Sequence, residues 1–276
     1  MKNMSNQLLF SVVTICYNSA QTIERTIKSV LAQTYTNFEY IIVDGGSTDS
    51  TLDIVKKYEP LFKGRLKWKS EPDHGIYDAM NKGIKRSSGC IISIVNSDDW
   101  LEPDALEIVS NTYNTLDQTY SSVCCGWMNF HYDNDVIQVL KTNPNVIKKL
   151  AKVYEMGGIR HPATFVPKVI YDNLGLFDTD IRIMADTDLI LRFIENNVPF
   201  IFPNKIVTNM SDGGASNKGL MKACKDYSLI LKKREVTGFK YCFLFYKWCL
   251  KRYVKGLLPV SFIKHYRGVS NRSIVR

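Results

Sequence analysis

The chain has 276 residues, of which 45% are hydrophobic, 12% aromatic and 23% charged. Such a composition can bury a large core, and it excludes a disordered tail protein or a fibrous repeat. The formal net charge is +9, a basic balance that calls for an anionic partner. The charge is unevenly placed: residues 218–276 hold 15 Lys+Arg and 2 Asp+Glu, net +13, which leaves −4 on the first 217. A mildly acidic body therefore carries a basic tail.

The seven cysteines show no CxxC spacing, and Cys124-Cys125 sits in an apolar run. This fits reduced, packed thiols rather than a disulfide framework or a zinc site. The N-terminal MKNMSNQLLFSVVTICYN reads as the lead into a strand, without the form of a signal peptide. No stretch reaches the roughly 18 apolar residues that cross a bilayer. The expectation is a cytoplasmic protein whose membrane contact, if any, is peripheral on the inner face.

In chain order, Leu8 to Ile15 is a continuous apolar, β-branched run, as a strand buried on both faces requires. Ser19 to Gln33 has helical spacing, with Ile23, Ile27, Val30 and Leu31 on one stripe. Phe38 to Val43 predicts a second buried strand, and Ser47-Thr48-Asp49 supplies cap-type residues for the next helix. Arg65 to Ser70 reads as a strand, Ile76 to Ile84 as a helix and Cys90 to Val95 as another buried strand. Strands alternating with helices imply βαβ units and a mainly parallel sheet. Helices are further expected over Pro103 to Tyr113 and Asp186 to Glu195. Val123 to Phe130 and Val136 to Leu140 are expected to pair around Asp133-Asn134. Residues 142–162 read as a loop or a broken short helix.

Ligands of open α/β sheets sit beyond the carboxyl ends of the strands. Four polar clusters begin where a predicted parallel strand stops: Thr14 to Asn18, Asp44 to Ser50, Glu71 to Gly75, and Asn96 to Asp99. Each alone is weak, but four at one sheet edge point to a binding site. Gly45 and Gly46 let the backbone approach a ligand. Asp44 is placed either to hydrogen-bond a nucleobase or ribose, or to serve as a turn carboxylate. There is no GxGxxG and no GxxxxGK[ST], which leaves out the dinucleotide fingerprint and the P-loop. Asp98-Asp99 can instead hold a hard divalent ion, Mg²⁺ or Mn²⁺, bridging a diphosphate. The competing account is an exposed acidic pair before Pro103.

The succession SVVTICYNSAQTIERTIKSVLAQTYTNFEYIIVDGGSTDSTLDIV, SEPDHGIYDAMNKGI and SGCIISIVNSDDWLEPDAL, followed by HPATFVPKVIYDNLGLFDTDIRIMADTDLILRF, resembles glycosyltransferase family 2. This resemblance covers about three quarters of the chain. It implies an α/β GT-A-like (Rossmann-like) fold, a mainly parallel sheet flanked by helices, and an inverting hexosyl- or N-acetylhexosaminyl-transferase using a nucleotide-sugar donor. Residues 1–217 are then the catalytic domain, with a donor half at about 8–104 and an acceptor half at about 120–217; residues 218–276 form a basic helical tail. By the same resemblance, Tyr17 stacks on the nucleobase and Asp44 contacts it; Thr14, which opens the first cluster, is counted with them among the nucleotide-sugar-binding residues. The position after Asp44, usually a second Asp, is Gly45. Asp73 and Asn81 fall near the ribose. Asn96-Ser97-Asp98-Asp99 occupies the place of the DxD motif, so that Asn96 and Asp98 touch the donor while Asp98 and Asp99 hold the metal. Asp186 falls at the catalytic base, preceded by Ala185 rather than an acid, with Asp188 as fallback. His161 lies on the acceptor side. Displacement at an anomeric carbon needs a base for the acceptor hydroxyl and a cation for the departing diphosphate.

Lys218 to Arg234 reads as a helix, and Phe239 to Lys255 interleaves aromatics with cations. Phe239, Phe243, Tyr246 and Leu250 share one face, with Lys240, Lys247, Lys251 and Lys255 on another. Such a helix suits an anionic membrane interface; packing on the body is the alternative, and nucleic acid ranks last. The function expected is transfer from a UDP-sugar to a lipid-linked glycan in surface-polysaccharide synthesis. The alternatives are a catalytically silent sugar-nucleotide-binding subunit or a nucleotidyltransferase.

Overall fold

The computed structural model describes residues 8–132, 135–145, 147, 152–155, 159–212 and 219–257. The apolar runs become strands β1 (Phe10–Cys16), β2 (Phe38–Asp44), β3 (Leu66–Ser70) and β4 (Ile91–Ile94), with helices α1 (Ile23–Leu31), α2 (Thr51–Tyr58) and α3 (Ile76–Arg86) between them. All seven residues of β1 and of β2 are buried. Alternation along each strand divides the core in two. Phe10, Val12, Tyr40 and Ile42 face one cluster, with Ile23, Ile27 and Val30 of α1. Val13, Ile15, Ile41 and Val43 face the other, with Met80 and Ile84 of α3. Burying each such side chain contributes about 1.5–3 kcal/mol, which explains why the runs are continuous instead of alternating.

The chain continues through β5 (Trp100–Leu101), α4 (Ala105–Leu116), β6 (Val123–Cys125), β7 (Trp127–Tyr132), β8 (Asp135–Leu140), β9 (Thr164–Pro167), α5 (Lys168–Leu174), α6 (Ala185–Glu195), β10 (Phe200–Ile201) and β11 (Ile206–Met210). The seven-stranded sheet has the order β10-β6-β9-β4-β1-β2-β3, and a second sheet the order β5-β11-β7-β8. β1 runs parallel to both β2 and β4, while β9 is antiparallel to β4 and β6. The strand order reverses between β1 and β4, making their carboxyl ends the switch point at which a crevice opens. The β4–β5 connection, which carries Asp98 and Asp99, also joins the two sheets. Expected as one strand, Val123 to Phe130 is divided at Gly126 between the sheets; β7 and β8 pair antiparallel as expected. Asp133 and Asn134 lie outside the described residues.

The tail forms α7 (Leu220–Lys233) and α8 (Gly238–Leu257). Leu244 and Trp248 of α8 pack on Ala223, Tyr227 and Leu231 of α7, with Ile183 and Met184 of the body against the same cluster. Tyr227 and Trp248 stack at 4.6 Å. α8 thus has two apolar faces, one packed and one open: Phe239, Phe243, Tyr246 and Leu250 are between 53% and 87% exposed. Among the described residues no helix is long and apolar enough to cross a membrane.

Candidate active site

The four polar clusters meet at one edge. Asn18 N–H donates to Ser47 Oγ at 2.8 Å, Thr48 N–H to Asn18 Oδ1 at 2.9 Å and Ser19 N–H to Thr51 Oγ1 at 2.8 Å. Ser19 and Ser97 hydroxyls are bonded at 2.8 Å, tying the loop after β1 to the loop after β4. Beside them is a cleft of about 630 Å³, part of it open to solvent, lined by Asn96, Asp98, Asp99, His161, Asp186, Tyr77, Arg182 and Met210 among others. Residues as far apart in sequence as Tyr77 and Met210 thereby come to line one cleft.

Asp186 opens α6. Its Oδ1 accepts Thr187 N–H at 2.7 Å and the Tyr77 hydroxyl at 3.4 Å, while Oδ2 takes no hydrogen bond from the described residues. Burial pushes its carboxyl up to about 6, against the lowering effect of those bonds. A half-buried carboxylate with one free oxygen and an affinity for protons near neutrality is suited to general-base work. Removing the tyrosine hydroxyl removes a bond that favours the charged form. Tyr77→Phe should therefore move the acid limb of the pH–rate profile to higher pH and lower the rate several-fold below pH 7; a profile coincident with wild type would refute the contact.

Asp188, held as the fallback base, does not reach this cleft. Its Oδ1 accepts Arg234 Nη1 at 2.9 Å and its Oδ2 accepts Arg192 Nε at 3.1 Å, with the side chain 6% exposed. It is the centre of an ion-pair cluster joining α6 to α7.

Asp98 and Asp99 also divide. Asp99 is 1% exposed and accepts Ser211 N–H at 3.1 Å and Asn96 Nδ2 at 3.1 Å, so it fastens the segment after β11 to the β4 loop. Burial, then the charge of Asp98, raises its carboxyl to about 8. Asp98 is half-buried in the cleft, and its side chain bonds no other described residue; its main-chain carbonyl accepts Arg25 Nη2 and Ser211 Oγ. Burial raises its carboxyl too, against the pull of Arg25. No group of three or more His, Cys, Asp or Glu that could hold a metal is present among the described residues. A hard cation bound by one or two carboxylates and completed by substrate phosphates needs no such cage. The half-buried, otherwise unbonded carboxylate of Asp98, beside the buried pair partner Asp99, fits that pattern.

Three expected donor contacts are otherwise engaged. Thr14 is wholly buried and its Oγ1 accepts the Tyr40 hydroxyl at 3.0 Å. Both ends of the Asn81 amide pair with the main chain of Phe177, at 2.8 and 2.9 Å. Asp44 is also wholly buried, its carboxylate encircled by donors from its own loop; burial raises its carboxyl, but the bonds from Ser47 and Ser70 outweigh it and the net shift is downward. All three shape the site from behind. Tyr17, by contrast, is 62% exposed at the rim, and Asp73 is half-buried beside it. His161 lines the cleft edge-on to Phe177 at 5.3 Å, and burial lowers it to about 4, so it is neutral at pH 7. Asn96 lines the cleft with a buried Oδ1 that has no partner among the described residues. Sequence reasoning missed Tyr77 and Arg25. The latter lies 3.8 Å over the Trp100 ring and donates to Asp98 O and Ser211 Oγ; nothing local in the sequence marks either one.

A parallel sheet with its switch point at β1/β4, an acidic loop after β4 and a second small sheet define a glycosyltransferase of the GT-A fold. The chain belongs to Glycosyl transferase family 2, whose profile matches residues 11–166, and it is a transferase enzyme. It is 34% identical over 193 residues to a Mycobacterium tuberculosis protein called "Uncharacterized glycosyltransferase MT1564", covering 68% of this chain and 70% of that one. Its fold is similar to S. aureus TarS 1-349 in complex with UDP-GlcNAc (TM-score 0.67, 20% identity, 86% of this chain and 69% of that one); the chain spans 41% of the longer TarS chain. It is also similar to a mannosyltransferase from Pyrobaculum calidifontis in complex with GDP-Man and Mn²⁺ (TM-score 0.63, 16% identity, 99% and 77%).

Proposed function

We propose that the protein is a metal-dependent, inverting glycosyltransferase that moves a sugar from a nucleoside diphosphate donor, a UDP-sugar, to the hydroxyl of a lipid-linked glycan in surface-polysaccharide synthesis. The observation that carries this reading is that Asp186, with one oxygen free, and Asp98 line the same cleft at the switch point. In the reaction, Asp186 Oδ2 accepts the proton of the acceptor hydroxyl as that oxygen attacks the anomeric carbon from the face opposite the leaving diphosphate. The bond to the diphosphate breaks through an oxocarbenium-like state, and one attack gives inversion. Tyr77 holds Asp186 in place, and neutral His161 offers a ring nitrogen to the acceptor. Asp98, with Asp99 behind it, would hold Mg²⁺ or Mn²⁺, which as a Lewis acid offsets the charge gathering on the diphosphate. Complexes of similarly folded proteins with UDP-GlcNAc and with GDP-Man and Mn²⁺ support this choice of donor and ion.

Asp98→Ala should reduce turnover about 10²-fold or more and remove the response to added Mn²⁺ or Mg²⁺. The measurement is release of nucleoside diphosphate from UDP-sugars, with and without chelator. Equal chelator sensitivity of variant and wild type would refute the metal role.

In this reading the tail beyond the catalytic domain (1–217) sets the place of work, on the cytoplasmic face of an anionic membrane. The exposed stripe Phe239, Phe243, Tyr246 and Leu250 lies on a helix held by its opposite face; Lys247 sits over the Phe243 ring beside the stripe, while Lys240 lies over Tyr154 and Lys251 pairs with Glu155. Apolar burial plus about 1 kcal/mol per nearby cation favours a phosphatidylserine-containing surface. Replacing the four stripe residues by Ser spares the packed face and should abolish co-sedimentation with such vesicles; unchanged sedimentation would sink the membrane role.

A further inference from the structure

Resting on the donor reading above, we infer that Asp73 is the carboxylate that reads the nucleobase, and that position 45 is glycine to make room for it. The loops after β1, β2 and β3 converge on a small cradle made of Tyr17, Gly45 and Asp73. The acid expected to read the base, Asp44, is unable to do so. Its two oxygens already accept Gly46 N–H (3.1 Å), Ser47 N–H (2.9 Å), Ser47 Oγ–H (2.5 Å) and Ser70 Oγ–H (2.7 Å), and the Cys16 thiol lies at 3.5 Å. A carboxylate offers about four lone-pair sites, and the side chain has no exposed surface.

Asp73 is differently placed. Its Oδ1 accepts Gly75 N–H at 2.8 Å, which fixes the plane of the group, and its Oδ2 takes no hydrogen bond from the described residues. That Oδ2 sits where a side chain on residue 45 would begin. A Cβ built on Gly45 falls well inside van der Waals contact of Asp73 Oδ2, with Asp73 Cγ at 3.3 Å and Tyr17 Cβ at 3.5 Å. The backbone does not demand glycine there: the left-handed residue of this turn is Gly46, at φ 87°, and not Gly45. The obstacle to a side chain at 45 is Asp73 itself. A side chain at 45 and Asp73 in its present place therefore exclude each other.

The chemistry of the cradle then selects the base. A ring stacked on Tyr17 presents its edge to an acceptor-only carboxylate. Uracil offers N3–H there, and guanine N1–H with its 2-amino group. Cytosine and adenine place an acceptor ring nitrogen, N3 or N1, where uracil and guanine place N–H, so their amino group is the one donor on that edge and the carboxylate meets like polarity beside it. The cradle takes uridine or guanosine nucleotides and discriminates against cytidine and adenosine ones.

The test is calorimetric titration of the full chain, in Mn²⁺, with UDP, GDP, CDP and ADP. Wild type is expected to bind UDP or GDP at least about 10-fold tighter than CDP and ADP. Asp73→Asn should erase that discrimination. Gly45→Ala should weaken the preferred nucleotide at least about 10-fold in the wild-type background, and less than about 2-fold when Asp73 is already Gly. Gly45→Asp combined with Asp73→Gly should restore discrimination. Unchanged binding by Gly45→Ala, additive losses in the pair, or discrimination surviving Asp73→Asn would overturn the inference. Because Ala is conformationally allowed at 45, the variant in the Asp73→Gly background separates a lost fold from a lost cradle. Failure of the wild type to bind any of the four nucleotides would overturn donor reading and inference together. Nucleotide discrimination without transfer of any sugar would overturn the proposed function alone.

Discussion

Asp186→Asn is expected to abolish sugar transfer, by about 10² to 10⁴-fold, while nucleotide affinity stays at the wild-type value. The substitution keeps shape and the Oδ1 contacts but removes the carboxylate proposed to take the acceptor proton. The sign of the pH effect follows from the direction of its shift. Burial raises this carboxyl to about 6, so below that pH the base is protonated and turnover falls, while above it turnover reaches a plateau. Stability runs the other way. A carboxyl with a raised folded-state pKa contributes stability fully below its unfolded value, and that contribution is lost as pH rises through about 6. Removing the charge should therefore leave the melting temperature at pH 7.5 no lower than wild type. Single-turnover rates at several pH values, with a melting curve for each protein, check both halves. Transfer at the wild-type rate would remove Asp186 from the mechanism.

The elements were legible because the apolar runs at residues 8–15, 38–43 and 90–95 admit few accounts other than strands covered on both faces. The place of the site was legible for the same reason, since strand order and polar strand ends locate a crevice without any side-chain detail. What sequence did not disclose is which acids are free. Asp186 and Asp188 look alike in MADTD, yet two steps along a helix turn a side chain by about 200°, so that one meets the cleft and the other meets Arg192 and Arg234. Thr14 and Asn81 were drawn to the donor by position, but their partners, Tyr40 and Phe177, lie 26 and 96 residues away. The Asp44 carboxylate is already occupied because Ser47 and Ser70 converge on it, something only the closed loop reveals. The tail was half legible: the spacing of Phe239, Phe243, Tyr246 and Leu250 gave the open face, whereas the opposite face of the same helix, Leu244 and Trp248, needed α7 to be seen as packing.

The second large effect separates the two neighbouring acids. Asp188→Ala should destabilise the protein by about 3 kcal/mol, the cost of taking a shared counter-ion from the buried Arg234 and the partly buried Arg192. Arg234 is 9% exposed and faces Asp188 and Glu195, while Arg192 reaches Asp188 and the carbonyls of Leu174 and Leu176. Without the carboxylate, two guanidinium groups face each other across the α6–α7 junction, and the remaining partners do not neutralise both. For a chain of this size the expected fall in melting temperature is about 10 °C. Well below that transition, turnover should stay within about tenfold of wild type, since Asp188 touches neither the free oxygen of Asp186 nor the cleft. The pair of variants forms a crossed pattern: Asp186→Asn loses rate and keeps stability, Asp188→Ala loses stability and keeps rate. If Asp188→Ala melts with wild type and is inactive, the assignment of base and strut is reversed, and the catalytic surface of α6 must be sought on its other side.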